Sequence, residues 1–480
     1  MKHRIFTISI LLCGLPLCLI GCGKKLDARA ELPLPKLSEG LPKAKFDTKS
    51  SGYTNWWLQW SKDMIVGGYE RAGRKNPRWD TSALNALEEY AHLRVTGRPR
   101  DLDDPNYLEN QLRQAVNAGC DDPLVRYIRT RMFVHPPGSA TPQTAAEYSA
   151  MAQQMEASGY DPLLKFFVDL RAAQAWRAAF AKQAPEVNRL RRAAMDHLQA
   201  VLGGEEIPAH AAYDACRELY DAIDQNTKQR TDFYQSAEPI LLGRWGREGF
   251  PYLLKGQFYI DYAWEARGSG WAREVDEDMW KVFEDRLSIA EAALNKAWKN
   301  DPSLPGTPLA AIRLELGQGR ERERMELWYQ RAITFPQDRY EAVRQKLWYL
   351  QPRWYGSEGE CLAFAREVVK SDLFYGQEPL HLYHTHVSLA EFFKKERPNY
   401  WTEPQVWPDI QASFERYFEL NGEDNGWRHN YVLCAWRCQQ WKTLDEQLAK
   451  LKDVNYENFG GQEAFEKMVQ TAREQVQKMK

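Results

Sequence analysis

After residue 52 the chain has no apolar stretch of about 18 or more residues, so no membrane-spanning helix is expected there. No run of lysine and arginine stands out and the formal net charge is −2, which argues against nucleic acid as a partner and does not demand an anionic lipid surface. Alternating apolar and polar positions are scarce, so an architecture built on sheets is not expected. Cysteine is sparse and irregularly spaced, eight in 480 residues, unlike the dense framework of a small secreted disulfide scaffold. There is no Walker loop and no G-x-S-x-G elbow, and no stretch brings nucleophile, base and orienting group together. No cofactor or metal is expected. The composition is 44% hydrophobic and 27% charged, that of a folded globular body.

At the N-terminus Lys2, His3 and Arg4 precede an apolar run from Ile5 to Leu19, followed by Leu19-Ile20-Gly21-Cys22. The basic, apolar, small-residue order is that of an export leader too short to span a membrane comfortably. The last four residues resemble the bacterial lipobox, which implies acylation of Cys22 and cleavage before it. Gly23 stands where an aspartate would signal inner-membrane retention, so the outer membrane is the expected destination. Loss of Lys2 and Arg4 with the leader takes the net charge from −2 to −4. Residues 23–52 carry Pro33, Pro35 and Pro42 among small and polar residues without helical period, and read as a tether with an r.m.s. reach of about 30 Å.

Cys13 and Cys18 leave with the leader. Of the five cysteines beyond Cys22, Cys434 and Cys438 are four apart on an expected helix, with Cβ atoms about 5–6 Å apart. A disulfide needs roughly 3.5–4.5 Å there, so they read as small packing residues.

Helical spacing recurs through the body. Leu84, Leu87, Tyr90, Ala91 and Val95 share a face after Thr81-Ser82, and the pattern stops at Gly97 and Pro99. Met325, Trp328, Tyr329, Ala332 and Ile333 repeat at 3-1-3-1 and stop at Pro336; Tyr431, Cys434, Ala435 and Cys438 follow the same rule. NQLRQAVNAGCDDPLVRYI (110–128) overlays AMAQQMEASGYDPLLKFFV (150–168) with one gap. Each copy reads as a helix, a glycine stop and an Asp-Pro restart, the aspartate capping the next helix. Ala290, Leu294, Ala297 and Pro302 match the second half of a tetratricopeptide unit, with leucine where phenylalanine is usual. Met325, Tyr329, Ala332 and Pro336 repeat it with the proline one position early, while the first-helix pattern is poorly kept in both.

AWEARGSGWA (263–272), LELGQGRERERMELWYQRA (314–332), KLWYLQPRWYGS (346–357) and NFGGQEAF (458–465) resemble pieces of a tetratricopeptide-like bacterial family of unknown function, over roughly residues 250–470. The resemblance implies an all-α repeat fold and supplies no catalytic residues. The expected fold is therefore all-α, antiparallel helical pairs stacked as a degenerate tetratricopeptide-like α-solenoid. Its expected parts are a leader over 1–21, the lipidated cysteine and tether over 22–52, an N-terminal helical region over 53–245 and the repeat region over 246–480.

YLQPRWYGSEGE (349–360) looks most like a catalytic motif, but it reads more simply as a joint. Pro352 prevents helix continuation, Gly356 bends the chain, Ser357-x-x-Glu360 is a capping box, and Trp354 and Tyr355 fill the corner. The next helix should turn Leu362, Ala365, Val368 and Val369 inward. ARGSGWAREV (266–275) is an unusual loop whose amides could cradle an anion beside Arg267 and Arg273, although a helix-to-helix turn is the plainer reading. In HLYHTH (381–386) two histidines without a third ligand do not make a zinc site, and interhelix hydrogen bonding is expected instead. The eighteen tryptophans suit helix interfaces, or stacking on sugar rings.

The leading expectation is a lipid-anchored, non-catalytic cell-envelope scaffold that binds a protein or peptide. Arg267, Arg273, Trp328 and Tyr329 are the candidate contacts. A surface glycan-binding lipoprotein is the alternative, and a helical carbohydrate-active enzyme the third.

Overall fold

A computed structural model describes residues 51–479 except 97–99, 101–103, 105, 135–139, 181–184, 204–206, 208, 224–226 and 269–273, with the backbone alone at 51–57, 209–210 and 227–229. Among the described residues there are twenty α-helices and no strand, so the fold is all-α. None of these helices is long and apolar enough to cross a membrane. Cys22 and nearly all of the tether lie outside the described residues. The chain forms two compact units, taken separately below.

The first unit runs to Glu265 and includes Asn295–Ser303. In it α1 (Ser51–Ala72) packs on α2 (Asp80–Thr96), and α2 on α3 (Tyr107–Asn117). The same order continues through α4 (Pro123–Arg129), α5 (Pro142–Glu156), α6 (Pro162–Ala179), α7 (Pro185–Gly203), α8 (Ala209–Ala222) and α9 (Thr227–Trp245), before α10 (Phe250–Arg267). Each substantial contact joins a helix to the next or next-but-one, the pattern of stacked hairpins.

The expected Asp-Pro restarts are present in both copies. Asp122 caps α4, accepting from the amides of Leu124 at 3.0 Å and Val125 at 3.1 Å, and Asp161 caps α6 by accepting from Leu163 at 2.8 Å. Asp122 is fully buried and also accepts from the Tyr160 hydroxyl at 2.9 Å and the Arg74 amide at 2.9 Å. One carboxylate thus joins three segments. Burial pushes its carboxyl up against the opposing pull of these bonds.

The second unit comprises Ala266–Leu294 and the chain from Leu304 onward. It holds most of α11 (Glu277–Asn300), then α12 (Thr307–Gln318), α13 (Arg322–Ala332), α14 (Arg339–Tyr349), α15 (Glu358–Lys370) and α16 (Leu380–Phe392). α17 (Val406–Asn421), α18 (Asn425–Arg437), α19 (Trp441–Lys450) and α20 (Gln462–Lys478) follow. From α12 on, contacts again link neighbours and next neighbours, as in an α-solenoid. The faces read from spacing are the buried ones: Met325, Trp328, Tyr329, Ala332 and Ile333 on α13, and Leu362, Ala365, Val368 and Val369 on α15. Cys434 and Cys438 are free, buried thiols, as their spacing required.

The stretch 349–360 is a joint between α14 and α15. Ser357 caps α15, accepting from the Glu360 amide at 3.3 Å. The reciprocal half differs from the expected box: the Glu360 carboxylate accepts from the Ser357 hydroxyl at 2.9 Å and from Arg322, an ion-pair partner that outcompetes a backbone amide. Tyr355 reaches across to donate to the Leu316 carbonyl at 3.0 Å, filling the corner.

Candidate functional site

Two apolar stripes on facing helices each contain one misplaced charge. On α13, Glu326 lies between Met325 and Tyr329; on α14, Lys346 lies between Val343 and Leu347; all six are buried. Neither charge can reach water, so each must find the other. The Lys346 Nζ is 2.6 Å from Glu326 Oε2. It also stands 4.4 Å from the Tyr329 ring centroid and 4.2 Å from that of Phe364 on α15, the two rings meeting edge to face at 5.4 Å. One ammonium is therefore held by a carboxylate and two aromatic faces. Burial pulls the ammonium below the usual lysine range, with Glu326 opposing. Burial, then Glu326 and Glu367, push the Tyr329 phenol up.

From Glu326 the network continues outward. Arg322 Nε lies 3.5 Å from Glu326 Oε1 and the same guanidinium pairs with Glu360. The α15 cap is thereby joined to the buried pair.

Beside Lys346 is a cavity of about 100 Å³, walled by Tyr329, Phe364, Phe374 and Val368, with Gln330 and the exposed Glu367 as further polar groups. At about 30 Å³ for each water of liquid it has room for a few waters or one small side-chain end. A wider, shallow depression of about 410 Å³ follows α20, where Phe465 and Val469 lie among Glu466, Gln470 and Arg473. It has no converging buried polar groups.

Of the residues singled out from sequence, Tyr329 forms a wall of the cavity. Trp328 is 7% exposed, and the Arg331 guanidinium stands 4.4 Å from its ring centroid. Arg267 is 4% exposed, its guanidinium 5.3 Å from the Trp280 ring and its Nη1 donating to the Gly268 carbonyl at 3.3 Å. Both are packed residues here. Arg273 lies outside the described residues. Sequence reasoning passed over Lys346, Glu326 and Phe364. The signal that could have found them was a lysine and a glutamate inside stripes that were otherwise apolar.

The histidine run forms interhelix hydrogen bonds. His381 Nε2 contacts the Tyr340 carbonyl at 2.9 Å; His386, fully buried, contacts the Tyr400 hydroxyl at 2.9 Å and Asp409 at 3.0 Å. Burial takes His381 down to about 3 and His384 to about 4, so both rings are neutral near pH 7. Asp409 also binds Arg366 at 2.7 Å; burial works to raise its carboxyl, but His386 and Arg366 outweigh this and hold it below the usual range. Every tryptophan whose side chain is described is buried or half-buried.

Comparison with protein-family models and with curated proteins gives no match.

Proposed function

We propose that the chain is a lipid-anchored, non-catalytic helical-repeat scaffold that holds a protein or peptide partner at the bacterial cell envelope. The observation that supports this best is the cavity between α13, α14 and α15 (aromatic walls, a glutamate accessible to solvent, an interior charge already neutralised). Such a site receives the end of a partner's side chain without doing chemistry on it. Tyr329 and Phe364 give it apolar area, and Glu367 favours a donor or cation on the incoming group. The lipobox and tether support attachment at Cys22, and the tetratricopeptide-like spacing supports the repeat reading.

The test uses the full lipidated chain in intact envelopes, with a photo-reactive residue at position 367. A discrete protein adduct, lost when Glu367→Lys or Phe364→Ala is tested from a second crosslinking position nearby, is the expected result. Adducts to polysaccharide alone would favour the glycan-binding alternative, and unchanged protein adducts in both variants would remove the cavity from the site.

A further inference from the structure

The joint between α14 and α15 contains a buried charge with two donors that no described residue meets. Arg353 is 4% exposed, and its Nε and Nη1 are buried without a hydrogen-bond partner among the described residues. Its guanidinium carbon stands 5.2 Å from the Trp348 ring centroid and 5.2 Å from that of Phe392 on α16. Contact with rings fixes the plane of the group and leaves its N–H donors aimed in that plane.

Among the described residues no acid pairs with it. The ionisable neighbour among them that acts on Arg353 is Cys361, a thiol itself pushed up to about 12 by burial and hence uncharged near pH 7. Two other deeply buried cations of this unit have an acid beside them: Lys346 pairs with Glu326, and Arg428 with Glu423. Arginine does not escape by losing its proton, and a buried charge without a counter-charge costs several kcal/mol.

A second unmade group lies two residues away. Gln351 is 8% exposed and donates from Nε2 to Ser388 Oγ at 3.0 Å, while its Oε1 has no partner. Turning the amide over would let Ser388 donate to the oxygen and leave the nitrogen unmade instead. A water could serve the amide, but it brings no charge to Arg353.

We propose that Arg353 is the recognition element of a small oxyanion site at this joint, taking a carboxylate or phosphate-type group whose oxygens accept from the unmade guanidinium donors. Trp348 and Phe392 hold the guanidinium in place, and Gln351 with Ser388 supplies the polar neighbourhood. The chemistry is shared by free anions and by a carboxylate carried on a larger molecule. The site is separate from the Tyr329 cavity and does not depend on the function proposed above.

The full chain and its Arg353→Met and Arg353→Lys variants are to be melted in chloride, acetate and phosphate at matched ionic strength. Acetate binding is followed by saturation transfer to its methyl group, and phosphate binding by the phosphorus line width. Wild type should gain stability in acetate or phosphate over chloride. Arg353→Met should lose that gain, bind the anion about tenfold or more weakly, and melt in chloride no lower than wild type. Arg353→Lys, which keeps charge but loses the planar fork, should fall between them. Response to acetate alone identifies a carboxylate site, and to phosphate alone a phosphate-type one. The proposal is overturned if wild type shows no anion response, if Arg353→Met responds equally, or if Arg353→Met is strongly destabilised in chloride.

Discussion

Lys346 and Glu326, on consecutive helices and twenty positions apart, form an ion pair 2.6 Å long with both side chains almost wholly removed from water. Breaking such a pair by deleting one partner costs about 3–5 kcal/mol, because the other charge is stranded. The two deletions should be unequal. Lys346→Met leaves Glu326 with Arg322 at 3.5 Å, whereas Glu326→Gln takes from Lys346 the carboxylate 2.6 Å away and leaves it a neutral amide oxygen and two aromatic faces at close range. Urea unfolding should rank Glu326→Gln as the more damaging, with the double variant costing less than the two single costs combined. Strict additivity would contradict this account.

Ser357→Ala should cost about 1 kcal/mol through the lost cap on α15. Arg322 keeps hold of Glu360 without the hydroxyl, so the loss should stay local, and partner capture by the folded variant should not change. A variant with wild-type melting but no capture would make Ser357 a contact residue.

Gly356 allows the joint its tight path. A Cβ added there would fall inside the contact radius of the Leu350 carbonyl oxygen, a backbone atom that cannot step aside cheaply. Gly356→Ala should cost on the order of 3 kcal/mol, more than the cap itself. Gly359→Ala is the control: its nearest neighbour beyond adjoining residues would be Ser357 Oγ at 4.0 Å, and it should melt like wild type.

Asp169 on α6 is nearly buried, with His197 Nε2 at 3.4 Å. Burial first, then the Glu156 carboxylate, push its carboxyl up to about 7 against the opposing pull of Arg189 and Lys165. In the unfolded chain an aspartate releases its proton near pH 4. The folded state therefore binds more protons between about pH 4 and about pH 7, and the stability this gives is lost as pH rises through that window. Asp169→Asn should flatten this part of the pH profile and be the more stable chain at pH 8, by on the order of 2 kcal/mol. A wild-type profile that is flat from pH 5 to 8 would disprove it.

Cys22→Ser should abolish acylation and leave the leader uncleaved. Mass spectrometry of the N-terminal peptide checks this, and acyl groups on a processed Cys22→Ser chain would overturn the lipoprotein reading.

Local rules carried much of the fold. The Asp122 and Asp161 caps, the stop after Ile333 and the Ser357 start were legible because capping and helical period act within a few residues. α9 was not, since it continues through Pro239, an interior proline that local rules count as a breaker. The candidate site was half legible. Tyr329 sits on a clear stripe, but its neighbours Lys346 and Phe364 arrive from other helices, and their convergence depends on packing between them. Arg353 was in plain view inside the joint. Its peculiarity is the lack of an acid partner in space among the described residues, which no spacing along the chain can reveal.

Neighbour-to-neighbour packing also decides how each unit should come apart. A core gathered around one centre must be lost all at once, whereas a stack loses an outer helix by giving up only one or two interfaces. α20 can thus open while α15 and α16 stay closed, and amide exchange within the second unit should slow from α20 inward. Most contacts also join segments close in sequence, so collapse need not wait for distant stretches to meet. Such a chain tolerates insertion or loss at its ends far better than in its middle, which leaves terminal helices free to diverge while the interior is held.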